Sequence, residues 1–222
     1  SPDSTIKKRR HLQPNYFQSL LKIAFFWVIV PLINKLKPKF IFFPHWSYIV
    51  PEEVLNLVEC VCFHESDLPH GRGGSPIQNH IARGHKVTKI SALKMSKELD
   101  AGPIYLKRTL SLEGLAEEIY IRASKIVAEM ILDIISNESV PKDQKGKVAV
   151  FTRRKPEQSE VHIELKSLEE LFDHIRMLDA SEYPRAFIRY GRFKFEISRP
   201  ALRTTSIEAD LRITKCLTGD RE

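Results

Sequence analysis

The segment FHESDLPHGRGGSPIQNHIARG, residues 63–84, decides how the fold of this chain is interpreted. Its 22 residues include three histidines, two acidic residues and four glycines. Histidine changes charge near neutral pH, and glycine lets the backbone approach another group closely. Titratable side chains beside a permissive backbone indicate a functional loop, and the flanking pattern places that loop in a fold.

Short apolar runs and helical repeats alternate around this segment. PKFIFF (38–43) and ECVCFH (59–64) are predicted strands, and residues 75–84 form a predicted helix with Ser75 as N-cap, Pro76 at its first position and Gly84 closing it. Further strands are predicted around 86–96 and 102–112, before a long helix over 114–137. This order predicts an α/β fold with a mostly parallel sheet. Ligands bind at the carboxyl ends of such strands, which here carry His45 and His64.

Changes in composition suggest four parts. An apolar and basic segment covers residues 1–38, and the α/β core covers 39–138. A polar stretch with Pro141 and Gly146 makes 139–148 a predicted linker. Residues 149–222 then form a predicted small α+β domain, with a hairpin that turns near 190–192.

The N-terminal part has two interpretations. A basic KKRR cluster at 7–10 precedes an apolar run from Ile23 to Ile33, which resembles a signal sequence or anchor. Lys22 precedes the run and Pro31 interrupts it, so it is too short for a transmembrane span. We favour a buried element at the start of the fold, and the basic cluster leaves contact with a membrane surface open.

Bulk composition describes an ordinary globular protein. Of its 222 residues, 42% are hydrophobic and 28% are charged, which allows a substantial core. The net charge of +7 favours anionic partners such as nucleotides or RNA. Three cysteines, an odd number, argue against a disulfide framework and for a reducing, cytoplasmic location.

His64 and Asp100 are the leading candidates for chemistry. His64 ends a predicted strand ahead of the glycine-rich loop, and it can exchange a proton or stabilise an anion. Asp100 opens a second turn, LDAGPI at 99–104, where an aspartate could equally cap the turn. The position of both residues at predicted strand ends favours a common site.

These motifs resemble the 10-formyltetrahydrofolate-dependent formyltransferases, which include methionyl-tRNA, glycinamide-ribonucleotide and sugar-nucleotide N-formyltransferases. The family motif H-x-S-x-L-P is similar to HESDLP at 64–69, and its D-x-G loop is similar to residues 100–102. Asp100 follows His64 by 36 residues, as in the family pattern. RRKPE (153–157) and YPRAF (183–187) resemble the C-terminal domain of the transfer-RNA and amino-sugar members, so the resemblance covers about 39–198.

The resemblance implies a Rossmann-like formyltransferase core with a small OB-like C-terminal domain. It implies 10-formyltetrahydrofolate as co-substrate, no metal, and catalysis by His64 and Asp100 with a contribution from position 62. The glycine loops would shape the folate pocket, through Gly71, Arg72, Gly73, Gly74, Leu99, Ala101 and Gly102. The expected substrate-binding residues are His45, Trp46, Ser66 and Asn79.

Two features depart from the family pattern. The family has an asparagine two positions before the histidine, where this chain has Cys62. A thiol is a weak hydrogen-bond donor, so another group such as Asn79 replaces it, or the enzyme is slow, or the chain is not a formyltransferase. The first βαβ unit of the family is also expected to be shortened or missing, because too few residues precede PKFIFF.

The expected acceptor is the primary amine of a nucleotide-linked amino sugar in a surface-polysaccharide pathway. The short chain and the SDLPHGRGGSP variant of the motif favour this acceptor over methionyl-tRNA. If RNA were the acceptor, its binding to the protein would weaken steeply as the salt concentration rises. The apolar N-terminal segment or the C-terminal hairpin could mediate a homodimer.

Three alternatives remain open from the sequence. Cys60, Cys62 and His64 share one face of a strand and could bind zinc together with His70 or His80. Cys62 and His64 could instead form a nucleophilic pair. A catalytically degenerate relative that only binds would also show the changes at position 62 and at the start of the fold.

Overall fold

The computed structural model describes residues 28–181 and 183–216. Helices and strands alternate through the first part, as the sequence predicts, and strands dominate the last part. In chain order the elements are α1 (Val30–Leu36), β1 (Phe40–Phe43), α2 (Glu52–Leu57), β2 (Glu59–His64), β3 (His70–Gly73), α3 (Pro76–Ile81), β4 (Val87–Lys94), β5 (Ile104–Ser111), α4 (Ala116–Ser136), β6 (Ala149–Phe151), a 3₁₀ helix (Pro156–Ser159), α5 (Leu168–Arg176), β7 (Ala186–Tyr190), β8 (Phe193–Leu202) and β9 (Ile207–Lys215).

The central sheet has the strand order β1-β2-β4-β5. This arrangement with its flanking helices confirms the α/β class. The β1–β2 pair is parallel, whereas β2–β4 and β4–β5 are antiparallel. The described sheet is therefore mixed rather than mostly parallel. The antiparallel β4–β5 pair follows from the short connection between these two strands, because a parallel pair would need a crossover of a dozen or more residues.

The two faces of β2 pack against different apolar clusters. Val61 and Phe63 belong to the main core beneath α4, whereas Cys60 lies in a second cluster with Phe43 and Val54. Side chains alternate between the two faces of a strand, so His64 lies on the same face as Cys60 and Cys62. This parity directs the histidine away from the main core and toward the polar end of the sheet.

Helix α4 covers one side of the sheet with a regular apolar stripe. Its buried residues recur every three or four positions, which places them on one helical face. Two acidic residues in its first turn favour the positive end of the helix dipole. The stripe consists of Ile119, Ala123, Val127, Met130 and Ile134.

The C-terminal part forms a small α+β unit, as predicted. Strands β7, β8 and β9 make an antiparallel sheet, and α5 packs against β8. Ser167 caps α5 by accepting a hydrogen bond from the Glu170 amide at 3.1 Å. Within the described residues this sheet has three strands, fewer than the five of an OB barrel.

Strand β6 connects the C-terminal part to the core. It pairs in parallel with β3, and Gly73 lies opposite Phe151. The predicted linker, 139–148, also contacts the core, since Lys142 and Ile104 exchange backbone hydrogen bonds of 2.7 and 2.9 Å. The division into domains at 138 and 149 stays a prediction.

Most of the N-terminal segment, and with it the expected loss of the first βαβ unit, lies outside the described residues. Its final part is helix α1, in which Ile33 is buried. Among residues 28–181 and 183–216, no helix has the length and apolarity that a membrane span requires.

We expect Met130→Ala to lower the free energy of unfolding by about 2–5 kcal/mol, because it empties a fully buried position on the α4 stripe. Leu132→Ala on the same helix is the matched control, since Leu132 is 64% exposed, and we expect a change within about 0.5 kcal/mol. Urea unfolding followed by circular dichroism measures both. Comparable losses in the two variants would contradict the assigned core face.

Candidate functional site

A large pocket opens beyond the carboxyl ends of β1 and β2. Its volume is about 940 Å³, which suits a small-molecule ligand. Its lining comes from the ends of the two strands, from the start of α3 and from the chain that follows β6. The lining residues are 45–49, 62–65, 73–78, 150–151, 153–156, Met95, Leu99, Asp100, Glu117, Tyr120, Ala180, Ser181, Tyr183 and Pro184.

His64 is buried at the end of β2 and is held by the backbone of β3. Its Nε2 lies 2.7 Å from the carbonyl oxygen of Gly71. A carbonyl oxygen only accepts hydrogen bonds, so Nε2 carries a proton and donates it. This contact fixes the orientation of the ring and leaves Nδ1 as the nitrogen that the backbone does not engage.

Asp100 lies beside that second nitrogen. Its Oδ2 is 3.6 Å from His64 Nδ1, which meets the expectation that the two residues lie within direct or one-water reach. The same oxygen accepts a hydrogen bond of 2.8 Å from the Gly73 amide. Asp100 has a left-handed backbone conformation, φ +51°, which is uncommon for a non-glycine residue and recurs at functional sites.

The predicted folate residues fall into two groups. Gly73, Gly74 and Leu99 line the pocket, whereas Gly71, Arg72, Ala101 and Gly102 do not. The glycines serve close packing within the protein rather than an approach to a ligand. A Cβ on Gly71 would lie 2.2 Å from Ser66 Oγ, and one on Gly102 would lie 1.8 Å from the Lys94 carbonyl oxygen.

Arg72 and Gln144 support the Asp100 turn. Arg72 donates from Nη2 to Gln144 Oε1 at 2.9 Å, and its guanidinium also pairs with Glu98. Gln144 Nε2 in turn donates to the carbonyl oxygens of Asp100 at 2.7 Å and Gly102 at 2.9 Å. The sequence analysis missed Gln144, which lies in the predicted linker and carries no motif.

The structure corrects the assignment of Ser66 to the substrate site. Ser66 is fully buried, donates to the His70 carbonyl oxygen at 2.6 Å and lies 2.8 Å from His80 Nε2. Its single proton is used by the carbonyl, so His80 donates to Ser66 Oγ. Burial lowers the pKa of His80 to about 4, which keeps that ring neutral. Ser66 therefore orders the loop after His64.

The structure also corrects the assignment of Asn79 to the substrate site, because Asn79 does not line the pocket. Its Nδ2 lies 3.0 Å from the carbonyl oxygens of Gly74, Ser75 and Thr152, and its Oδ1 accepts from Arg83. The amide that was expected to replace the missing family asparagine is thus committed to the backbone.

Cys62 lines the pocket, but its environment disfavours a thiolate. Burial, together with the nearby Asp100 charge, raises the pKa of Cys62 well above its usual range. Burial likewise raises the pKa of Cys60 to about 11. A protonated thiol is a poor nucleophile and metal ligand. Within residues 28–181 and 183–216, no set of three His, Cys, Asp or Glu side chains is arranged to hold a metal ion, which speaks against the zinc alternative.

His45 and Trp46 line the pocket at the end of β1, where the sequence places them. The His45 ring meets the edge of Tyr120 at 5.7 Å between centroids, and Trp46 packs against Phe43 at 5.4 Å. Tyr120 reaches the site from α4. The predicted contact of His45 and Trp46 with substrate stays a prediction.

Arg153, Arg154 and Lys155 form a basic wall of the same pocket. The Nε of Arg154 is buried without a hydrogen-bond partner, and burial lowers the pKa of the guanidinium. Arg154 forms no ion pair with any carboxylate in the part of the chain that the structure describes. Ser75, which the sequence makes an N-cap, instead accepts from the Arg154 amide at 3.1 Å and so anchors the wall.

Comparisons with known proteins agree with this architecture. Residues 28–130 match the formyl transferase profile, and 156–214 match the methionyl-tRNA formyltransferase C-terminal domain. A solved methionyl-tRNA formyltransferase from Clostridium thermocellum is 51% identical with a TM-score of 0.80, and the match covers 84% of this chain and 81% of that one. The chain belongs to the formyltransferase family.

Other relatives are more distant. A methionyl-tRNA formyltransferase of Mesoplasma florum is 26% identical to this formyltransferase, over 94% of this chain and 71% of the relative. One from Campylobacter lari is 31% identical, but the match spans only 57% of this chain and 43% of the relative. A 4-N formyltransferase structure from Francisella tularensis, 16% identical with a TM-score of 0.58 and 77% of each chain covered, shares the fold.

Replacing Gly73 by alanine tests the packing of β3. A Cβ there would lie 2.3 Å from the Phe151 carbonyl oxygen at φ +102°, whereas Gly84 has φ +75° and open space. We expect Gly84→Ala to cost about 1–3 kcal/mol of unfolding free energy from backbone strain alone, and Gly73→Ala to cost at least about 1 kcal/mol more. Chemical denaturation measures both. Equal losses would show that the contact with β6 relaxes freely.

We expect Cys62 to react with iodoacetamide more than about tenfold more slowly in the folded protein than in urea at the same pH, because burial keeps it protonated. Peptide mass spectrometry over a time course at pH 7.5 gives the rate for each cysteine. Cys60, which is buried, is the internal control. Folded-state labelling of Cys62 as fast as in urea would restore the nucleophilic alternative.

Proposed function

We propose that this protein transfers a formyl group from 10-formyltetrahydrofolate to a primary amine on a phosphate-bearing carrier, and that a nucleotide-linked amino sugar is the first candidate. One observation carries the proposal. The His64–Asp100 pair lines the same pocket as Arg154, which forms no ion pair with a carboxylate of the described residues. The pair suits acyl transfer to an amine, and the cation suits a phosphate.

His64 is suited to stabilise the reaction intermediate. The amine nitrogen attacks the formyl carbon, and the carbonyl oxygen becomes an oxyanion that needs a hydrogen-bond donor. With Nε2 engaged by Gly71, the donor that His64 can offer is Nδ1–H, in its imidazolium form. The adjacent Asp100 carboxylate stabilises that positive charge.

Asp100 is suited to move the proton. The attacking amine gains a positive charge and must lose one proton, which the carboxylate can accept directly or through water. The intermediate then collapses, the bond from the formyl carbon to the folate N10 breaks, and N10 takes up a proton. The products are the formamide and tetrahydrofolate, so atoms and charge balance.

The pocket also offers a surface that fits the folate. Met95, Leu99, Val150 and Phe151 line the same pocket as His64. Leu99 is 68% exposed and Val150 is 72% exposed, so both have apolar surface available to a flat ring system. Burial of such surface is the main source of affinity for planar ligands.

The basic wall supports a phosphate on the acceptor. Arg153, Arg154 and Lys155 line the same pocket as the His64–Asp100 pair, and an arginine fork matches a phosphate bidentately. A nucleotide-linked amino sugar carries an amine at one end and a pyrophosphate at the other. A pocket of about 940 Å³ can hold such a molecule.

Methionyl-tRNA is the second candidate. The 51% identical structure bears that enzyme's name, and residues 156–214 match the corresponding C-terminal domain. The chain also carries a net charge of +7, which suits RNA phosphates. Both candidates present a primary amine near phosphate, so the same pocket chemistry applies to each.

We expect purified protein to release tetrahydrofolate from 10-formyltetrahydrofolate in the presence of one of these acceptors, and His64→Ala to lower kcat by about 100-fold or more because the oxyanion loses its donor. An absorbance assay with a panel of nucleotide-linked amino sugars and methionyl-tRNA measures both. The matched control is His85→Ala, an exposed histidine outside this pocket, for which we expect activity within twofold.

The outcomes separate the candidates. A steep loss of acceptor affinity with salt would identify RNA, and a shallow one a nucleotide sugar. We expect Cys62→Asn to raise kcat, since an amide is a stronger donor than a thiol. No turnover with any acceptor in either the wild type or Cys62→Asn would favour a degenerate relative that only binds.

A further inference from the structure

The last strand of the C-terminal sheet has an open edge. Strand β9 has nine residues and pairs with β8 on one side, and no other strand of residues 28–181 and 183–216 lies along its outer side. The opposite edge of the sheet differs, because the Val161 amide donates to the Phe187 carbonyl oxygen of β7 at 2.8 Å. An open edge presents unpaired backbone N–H and C=O groups, to which another strand can add.

The two faces of β9 are also uncovered. Residues 208–213 are all exposed, and consecutive residues of a strand point to opposite faces. Leu211 is 60% exposed and Ile213 is 58% exposed. Their partners across the ladder are Ile197 and Phe195 of β8, so the four side chains share one apolar face. Apolar surface beside an open strand edge is typical of a protein interface.

The order of the charges along β9 indicates which partner fits this edge. In the sequence IEADLRITK, Glu208 and Asp210 precede the middle residue, Leu211, whereas Arg212 and Lys215 follow it. One half of the strand is therefore acidic and the other half is basic. A second copy of β9 that runs in the opposite direction brings each acidic half to a basic half. A parallel copy would bring like charges together, which is unfavourable.

The charges also select one antiparallel register. In a two-fold symmetric strand pair, residues directly opposite each other lie on the same face, so the axis passes beside a single residue. With the axis at Leu211, Asp210 of each copy lies opposite Arg212 of the other copy. An axis at residue 210 or 212 sets two aspartates or two arginines directly against each other, which is destabilising.

The ion pairs within one chain leave these charges available. Asp210 pairs with Arg199, but the Asp210 side chain is 50% exposed and that of Arg199 is 77% exposed. The Arg212 side chain is 80% exposed and lies 4.0 Å from the Glu196 carboxylate. Exposed ion pairs contribute little to stability, so exchanging them for pairs across an interface costs little.

We propose that β9 is a dimerisation strand, and that two copies of this chain join their β9 edges in the antiparallel register centred on Leu211. The two three-stranded sheets then form one continuous sheet of six strands. On the apolar face Leu211 lies against Leu211 of the second copy, and Ile213 lies opposite Ala209. This inference is independent of the proposed function, because it uses no residue of the pocket.

Sedimentation velocity of the full chain tests the proposal. We expect wild type to sediment at about twice the mass of one chain, 25.7 kDa, at about 100 μM, which populates any dimer with a micromolar Kd. Asp210→Arg and Arg212→Asp each replace two attractive pairs by two repulsive pairs. We expect each variant alone to self-associate at least about tenfold more weakly than wild type.

Mixing the two variants restores the complementarity. A chain with Asp210→Arg has two arginines at the centre of β9, and a chain with Arg212→Asp has two aspartates. An equimolar mixture is therefore expected to form a heterodimer with a Kd within about tenfold of that of the wild-type dimer. Recovery in the mixture also shows that both variants are folded.

The control is Lys166→Asp, which reverses an exposed charge outside β9, and we expect it to associate as wild type does. Three results would each overturn the proposal. They are a wild type that stays monomeric at about 100 μM, a dimer that either charge reversal leaves intact, and a mixture of the two variants that stays monomeric.

Discussion

The site depends on two backbone groups of one short strand. The Gly71 carbonyl oxygen holds the His64 ring, and the Gly73 amide holds the Asp100 carboxylate. The two glycines lie two positions apart on β3, so their spacing is fixed by the backbone. A histidine from β2 and an aspartate from the β4–β5 turn are thus brought to one place by main-chain groups, which no side-chain substitution removes.

Strand β3 in turn depends on β6. Gly73 packs so closely on Phe151 that an added Cβ would lie 2.3 Å from its carbonyl oxygen, and the parallel pairing continues to Ala149. The chain that leaves β6 immediately supplies Arg153 and Arg154 to the lining of the same pocket. The β3–β6 pairing therefore joins the strand that holds His64 and Asp100 to the segment that carries the basic wall.

Much of this arrangement could be predicted from the sequence. Apolar periodicity predicted the strands and the long helix, and the motifs predicted that His64 and Asp100 share one site. The antiparallel side of the sheet was not predicted, because strand direction depends on the length of a connection rather than on its pattern. Ser66 and Asn79 have polar side chains in the right loop, but they satisfy nearby protein groups. Arg154 stands out only when every hydrogen-bond partner is known.

Because Cys62 stands where the family has an asparagine, a different set of side chains can donate hydrogen bonds in the pocket. Cys62 stays protonated and offers a weak donor, while the Asn79 amide is committed to carbonyl groups of the backbone. Of the donors that the sequence analysis considered for an oxyanion, His64 is the strong one that lines the pocket. Its Nδ1 lies 3.6 Å from the Asp100 carboxylate, and the Gly73 amide holds that carboxylate. Under the proposed function, stabilisation of the oxyanion therefore falls mainly on His64, so activity should depend strongly on the geometry of β3.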